Sequence, residues 1–234
     1  MRNMGKYKHL FFDLDRTLWD FDKNSKETLQ DLFISFELQK LGIPDFDVFF
    51  EHYCHHNIHL WELYRGGKIE KDFLSVERFY LTLSDFGIEN KKLSELVSKE
   101  YVHQSPLKTA LFPYTHKVLE YLYKKHSLHI ITNGFKEIQF RKLNLCGLEK
   151  YFTSVIVSEE AGCNKPDRKI FLFALEKNKA EIAESIMIGD DLSVDVIAAK
   201  AIGMDQIYVN YDKLPHDEKI TYEVFSLKEL IGIL

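Results

Sequence analysis

His9-Leu10-Phe11-Phe12-Asp13-Leu14-Asp15-Arg16-Thr17-Leu18 carries an apolar run straight into two carboxylates. Residues 9–14 read as a buried strand, with Asp13 near its C-terminal end. Asp13 and Asp15 are two residues apart, so on a regular strand they share a face. A turn after Asp13 would swing Asp15 over whatever Asp13 touches.

Outward from this strand, the rest of the chain shows two rhythms. Residues 24–42 have a helical pattern, with Leu29, Leu32, Phe33 and Phe36 on one face, Ser25 as N-cap and Gly42-Ile43-Pro44 as the stop. Residues 45–105 are helical in pattern throughout, broken at Gly66-Gly67 and Gly87, and contain no convincing strand. After Pro113 helices and strands alternate. Strands are predicted at 127–132, 154–158, 185–189, 206–210 and 222–225, and helices at 114–125, 136–145, 167–178, 193–201 and 227–234. Repeated β-α-β units imply an α/β fold with a doubly wound parallel sheet, here with an all-helical insertion. Ligands of such sheets bind beyond the carboxyl ends of the strands.

The totals bound the function. The 234 residues are 45% hydrophobic, enough for a substantial core. Net charge is −5 with both signs mixed, which gives no electrostatic case for a nucleic-acid partner or an anionic membrane. The apolar runs are strand-sized, far short of the ~20 residues of a spanning helix. The apolar stretch near the N-terminus is too short for a signal-peptide core. Three cysteines (Cys54, Cys146, Cys163) form no CxxC pair and no framework. A cytoplasmic protein, monomeric or homodimeric, is expected.

Four polar clusters stand at four strand ends: Asp13-Leu14-Asp15-Arg16-Thr17, Thr132-Asn133-Gly134, Lys165-Pro166-Asp167, and Gly189-Asp190-Asp191 followed by Asp195. Taken singly each is a common turn or helix start. In a parallel sheet all four converge on one rim. Asp13, Asp15 and Asp190 together repel one another unless a cation is bound. Oxygen ligands without His or Cys call for Mg²⁺, which also binds substrate phosphate. The Thr132 hydroxyl and the N–H groups of the turn at Asn133 suit phosphate oxygens. Lys165 adds a point charge. Such a set can position a phosphoryl group, neutralise it and attack it.

These strings resemble the haloacid dehalogenase superfamily over nearly the whole chain: residues 13–18 as first motif, Ile131-Thr132-Asn133-Gly134-Phe135 as second, Lys165-Pro166 as third, Gly189-Asp190 with Asp195 as fourth. The resemblance implies a Rossmann-like catalytic core of residues 1–20 and 106–234 and a helical cap of residues 21–105. It implies Asp13 as nucleophile and metal ligand, and Asp15 as general acid and then base, with its main-chain carbonyl on the metal. Thr132 and Asn133 would hold the phosphoryl group, Lys165 would stabilise the aspartyl phosphate, and Asp190 would ligate Mg²⁺. Asp195 or Asp191 would support Lys165 or the metal. Arg16 stands where the family often has Gly. Asp15 separates phosphatases from the family's dehalogenases, which lack this second carboxylate. Phosphomutases share all of these residues.

Within the family, Phe11-Phe12-Asp13-Leu14-Asp15, residues 130–135 and Val157-Ser158-Glu159-Glu160-Ala161-Gly162 are most similar to the YjjG-like pyrimidine 5′-nucleotidases. A small phosphorylated metabolite is the implied partner: a nucleoside 5′-monophosphate first, a sugar phosphate or phosphoglycolate second. A non-catalytic phosphate-binding module is the remaining alternative. Trp61, Tyr64 and Arg65 share a helical face and could bind a base and an anion, although aromatic stripes at this spacing usually pack a core. Phe21, Phe46, Phe49 and Phe50 read as core. His52/His56 and His55/His59 have the spacing of helical zinc sites, but no acidic ligand completes the set, so a polar helix face is the better reading.

Overall fold

The structure is a computed structural model and describes residues 6–234. Contacts divide the chain into two compact units. One runs up to Phe21 and resumes from Ala110 to Leu234; the other is Asp22–Thr109.

The first unit holds six parallel strands: β1 (His9–Phe12), β2 (Ser127–Thr132), β3 (Phe152–Val157), β4 (Ser185–Gly189), β5 (Asp205–Val209) and β6 (Tyr222–Val224). Their order is β3-β2-β1-β4-β5-β6. β1 is central, with His9 opposite Ser127 on one side and Ser185 on the other. Alternation along β1 sends Leu10 and Phe12 into one apolar cluster and Phe11 into another, so the sheet is buried on both faces. The order turns back on itself at β1 and β4, the crevice where doubly wound folds place ligands.

The second unit is helical: α1 (Phe21–Ser35, whose first residue belongs to the sheet unit), α2 (Phe46–Arg65), α3 (Lys71–Ser84) and α4 (Lys91–Gln104). Leu29, Leu32, Phe49, Tyr53, Phe79, Val97 and others form its buried cluster, with Phe46 and Phe50 packed against it. Two local expectations fail. Ser25 is not an N-cap; it is buried inside α1 and shares a 2.9 Å hydrogen bond with the Tyr101 hydroxyl. The helix stops at Ser35, seven residues early, because Glu37 turns left-handed (φ 51°) into a short 3-10 turn closed by Gly42 (φ 107°).

The remaining helices flank the sheet: α5 (Thr115–Leu122), α6 (Lys136–Leu145), α7 (Ser158–Ala161), α8 (Arg168–Lys177), α9 (Ala198–Ala201) and α10 (Leu230–Ile233). The expected helix at 193–201 begins as a π-helix, Leu192–Ile197, before becoming α9. At the junction with the helical unit, Asp20 N–H donates to Ala110 O (3.1 Å), Phe112 N–H donates to Leu18 O (3.0 Å), and Trp19 bridges to Leu111. The chain therefore leaves the sheet unit and re-enters it at one place. Among the described residues no helix is long and apolar enough to cross a membrane.

Candidate active site

β1 ends at Phe12, two residues earlier than its apolar run predicts. Asp13 N–H still donates to Ile188 O (2.9 Å), and then Leu18 and Trp19 N–H groups turn back onto Leu14 O. Arg16 makes this turn at φ 65°, a conformation that glycine adopts without steric cost and arginine does not. The turn leaves Asp13 on the rim with its side chain nearly enclosed.

The ends of β2 and β4, and the loop that follows β3 and α7, bring further residues to Asp13. Lys165, from the loop before α8, places Nζ 2.6 Å from Asp13 Oδ1 and 2.6 Å from Asp195 Oδ1. All three side chains are buried. Asp190 follows β4 and is fixed by Thr17, whose hydroxyl donates to Asp190 Oδ1 (3.0 Å) and accepts from Asp190 N–H (3.1 Å). Thr132 ends β2 and is also buried. Asn133 holds the third motif in place: its Nδ2 donates to Lys165 O (2.9 Å), and its Oδ1 accepts from Lys165 N–H (2.8 Å). Its side chain thus serves the Lys165 main chain.

Asp13, Asp190 and Asp195 offer carboxylate oxygens that all lie within 4.8 Å of one another. Burial pushes the Asp13 carboxyl up to about 7 against the pull of Lys165. Burial, then repulsion from Asp13 and Asp195, holds Asp190 well above the usual carboxylate range. Asp195 is raised by burial too, with Lys165 opposing. Burial alone would lower Lys165, but Asp13 and Asp195 outweigh it and hold the ammonium well above its ordinary value. Three acidic groups against one buried ammonium and the half-exposed Arg16 guanidinium form a site still short of positive charge. Its donors are all oxygens, and together with the absence of His and Cys this fits Mg²⁺.

The Asp15 side chain is not in this trio. Its Oδ1 accepts from Lys142 Nζ (2.5 Å) and its Oδ2 from Gln139 Nε2 (2.9 Å). The Gln139 amide also donates to Thr132 Oγ1 (2.6 Å). Lys142 lies 3.9 Å over the Trp19 ring. Sequence reading missed both α6 residues. The available signal was their i,i+3 spacing, which puts two long polar side chains on the helix face that turns inward.

The other candidates take different places. Asp191 caps the π-helix, accepting from Ser193 and Val194 N–H groups (2.9 Å each). Glu159 accepts from Lys136 N–H at the start of α6 (2.8 Å), and Glu160 pairs with Lys177 (2.6 Å). Arg16 reaches Asp190 (3.4 Å) and Asp212 (3.2 Å), so its guanidinium touches the acidic cluster. Trp61, Tyr64 and Arg65 lie in the helical unit. They are half-buried, and the two rings meet edge-on at 5.5 Å outside the buried apolar cluster, so they are not the core packing expected of an aromatic stripe. His52 and His56 both bond Asp85 Oδ2, at 2.7 and 2.8 Å, which ties α2 to the end of α3.

The profile of the haloacid dehalogenase-like hydrolases matches residues 10–209. YfnB of Bacillus subtilis (strain 168) is 30% identical, over 99% of this chain and 97% of its own. The crystal structure of YfnB bound to magnesium superposes with a TM-score of 0.88, at 28% identity over 97% of this chain and 98% of that one. The pyrimidine 5′-nucleotidase PynA of Streptococcus pneumoniae (strain ATCC BAA-255 / R6) is 32% identical over 97% of this chain and 95% of its own. The pyrimidine 5′-nucleotidase YjjG of Escherichia coli (strain K12) is 30% identical over 98% of each. With matching motifs, sheet order and full-length relatives, the chain belongs to the haloacid dehalogenase-like hydrolases.

Proposed function

We propose that the protein is a magnesium-dependent phosphomonoester hydrolase that acts through an aspartyl phosphate on Asp13. Nucleoside 5′-monophosphates, pyrimidine ones foremost, are its substrate class. The observation that carries this reading is the buried Asp13 carboxylate at a strand end, 2.6 Å from Lys165 and grouped with Asp190 and Asp195. The substrate class rests on the two pyrimidine 5′-nucleotidases among the full-length relatives.

The Asp13 carboxylate attacks phosphorus, and the bond to the ester oxygen breaks. Asp15 gives its proton to that departing oxygen. A water then attacks the acyl phosphate, Asp15 takes back a proton, and inorganic phosphate leaves. Thr132 and the Asn133 main chain orient the phosphoryl oxygens, and Lys165 offsets their charge. Asp13, Asp190 and the Asp15 main-chain carbonyl would hold Mg²⁺, with Asp195 anchoring Lys165. The ion supplies charge neutralisation for the carboxylates and the phosphoryl group alike. A reducing compartment such as the cytoplasm suits the three free cysteines.

The test is phosphate release from UMP, dUMP, dTMP, AMP, phosphoglycolate and sugar phosphates, with Mg²⁺ and with EDTA. Magnesium-dependent release, strongest on the pyrimidine nucleotides and abolished in a folded Asp13→Asn variant, is expected. Wild-type turnover in that variant would rule out the covalent route. A sugar phosphate as best substrate would move the substrate class.

A further inference from the structure

Gln139 and Lys142 hold none of the roles assigned above, yet both are buried polar side chains aimed at residues that do. Gln139 is fully enclosed. The two hydrogens of its Nε2 go to Asp15 Oδ2 and Thr132 Oγ1. Only the amino end of the amide fits there, because the flipped group would set its oxygen against a carboxylate. Thr132 Oγ1 accepts a second hydrogen bond from Gly134 N–H (3.1 Å). A hydroxyl whose two lone pairs are both engaged has only its own hydrogen left to give, and a donor is what a phosphoryl oxygen requires.

Two further observations mark this as an arrangement kept for its donors. Gln139 Oε1 is buried and accepts no hydrogen bond. An apolar side chain at this position would leave no such acceptor stranded. Gly134 also makes room for it: a Cβ there would lie 2.3 Å from Gln139 Nε2. Lys142 completes the brace, with its ammonium between Asp15 Oδ1 and the face of Trp19. Both residues sit on α6, which begins four residues after Thr132. One rigid element therefore ties the acid to the phosphate-binding hydroxyl.

We propose that Gln139 and Lys142 are positioning residues: Gln139 aims the Thr132 hydroxyl and, together with Lys142, fixes the Asp15 carboxyl. This inference rests on the phosphatase reading. Neither residue touches substrate; each acts through Thr132 or Asp15.

The experiment compares kcat/KM on two monoesters in the full-length enzyme with Mg²⁺. Uridine 5′-monophosphate, or ribose 5-phosphate if the nucleotide is not turned over, has an alkoxide leaving group that needs a proton. p-Nitrophenyl phosphate has a leaving group that departs unprotonated. For Lys142→Met, kcat/KM on the alkyl ester falls about tenfold to a hundredfold, and on the aryl ester about threefold or less, because general acid catalysis serves only the first. Lys142→Arg, which keeps the charge, recovers most of the loss. For Gln139→Met, KM rises on both substrates as the hydroxyl loses its aim, and the alkyl-to-aryl ratio also falls. That ratio is measured within one preparation, so it does not depend on how much of a variant folds. An unchanged ratio in both Lys142→Met and Gln139→Met, with wild type active on both esters, overturns the inference alone. A wild type inactive on every ester overturns the phosphatase reading and this inference with it.

Discussion

The ammonium of Lys165 stands 2.6 Å from a carboxylate oxygen of Asp13, and both side chains are buried. Lys165→Met leaves the buried Asp13 and Asp195 without the cation they share, and breaking a buried pair this way costs about 3–5 kcal/mol. The variant therefore melts lower than wild type in EDTA. Added Mg²⁺ raises its Tm more than it raises that of wild type, because the ion replaces the missing charge. Calorimetry with and without Mg²⁺ measures the difference. Equal Mg²⁺ increments in the two proteins would show that the ion does not bind among these carboxylates.

Arg16 holds a left-handed conformation and presses its guanidinium on Asp190. Arg16→Gly relieves a backbone cost of about 1–2 kcal/mol and loses a half-exposed ion pair worth about 1 kcal/mol or less. Unfolding free energy stays within about 1 kcal/mol of wild type once the greater chain entropy of glycine is included. The Mg²⁺ concentration for half-maximal activity falls severalfold, since a competing cation has been removed from Asp190. Metal titration of activity and urea denaturation check the two halves separately.

Gly189 closes β4 against Asp195. A Cβ there would meet Asp195 Oδ2 at 2.4 Å and its Cγ at 2.6 Å. Gly189→Ala must displace the Asp195 carboxylate from Lys165. Overpacking of this kind destabilises by about 1–3 kcal/mol. We expect a lower Tm together with a loss of kcat at temperatures where the variant is fully folded. A drop in Tm with normal kcat would show that Asp195 does not need to hold Lys165.

His129 lies inside the sheet, stacked on Phe11, with hydrogen bonds to Ser154 Oγ (2.9 Å) and His9 Nδ1 (3.1 Å). Burial and then His9 lower its pKa to about 4, and burial lowers His9 as well. For a base depressed in the folded state, the unfolded chain takes up protons first as pH falls. Stability is full above about 6.5 and declines between there and about 4, by on the order of 3 kcal/mol for His129 alone. Urea midpoints at pH 7.5 and 5.0 measure this. His129→Gln, which cannot titrate, flattens the difference.

The sheet was legible because its strands are apolar on both faces and end in turn residues, so period and punctuation agree. The rim chemistry was legible because carboxylates and Thr132 recur at strand ends, with Lys165 in the connection that follows β3, and a parallel sheet brings these segments together. Gln139 and Lys142 were not: polar residues on a helix read as solvated unless the tertiary partner is known, and Asp15 is 124 residues away from Gln139 in sequence. Asp191 and Asp195 were indistinguishable for a related reason. Both follow β4, and only the π-helical first turn decides that one caps the helix while the other points at Lys165. Ser25 misled because an N-cap signature looks the same when a serine is recruited into a buried hydrogen bond.

The junction at Asp20 and Ala110 has an evolutionary consequence. The 88 residues from Asp22 to Thr109 leave and return through a gate one hydrogen bond wide. Lengthening a loop whose ends are already joined costs little entropy, and no strand register depends on what the loop contains. Mutation can therefore rebuild this excursion, or exchange it for another, while the carboxylates and their lysine are inherited untouched. One sheet could in this way found a lineage of enzymes that differ in what they choose and agree in what they do to it.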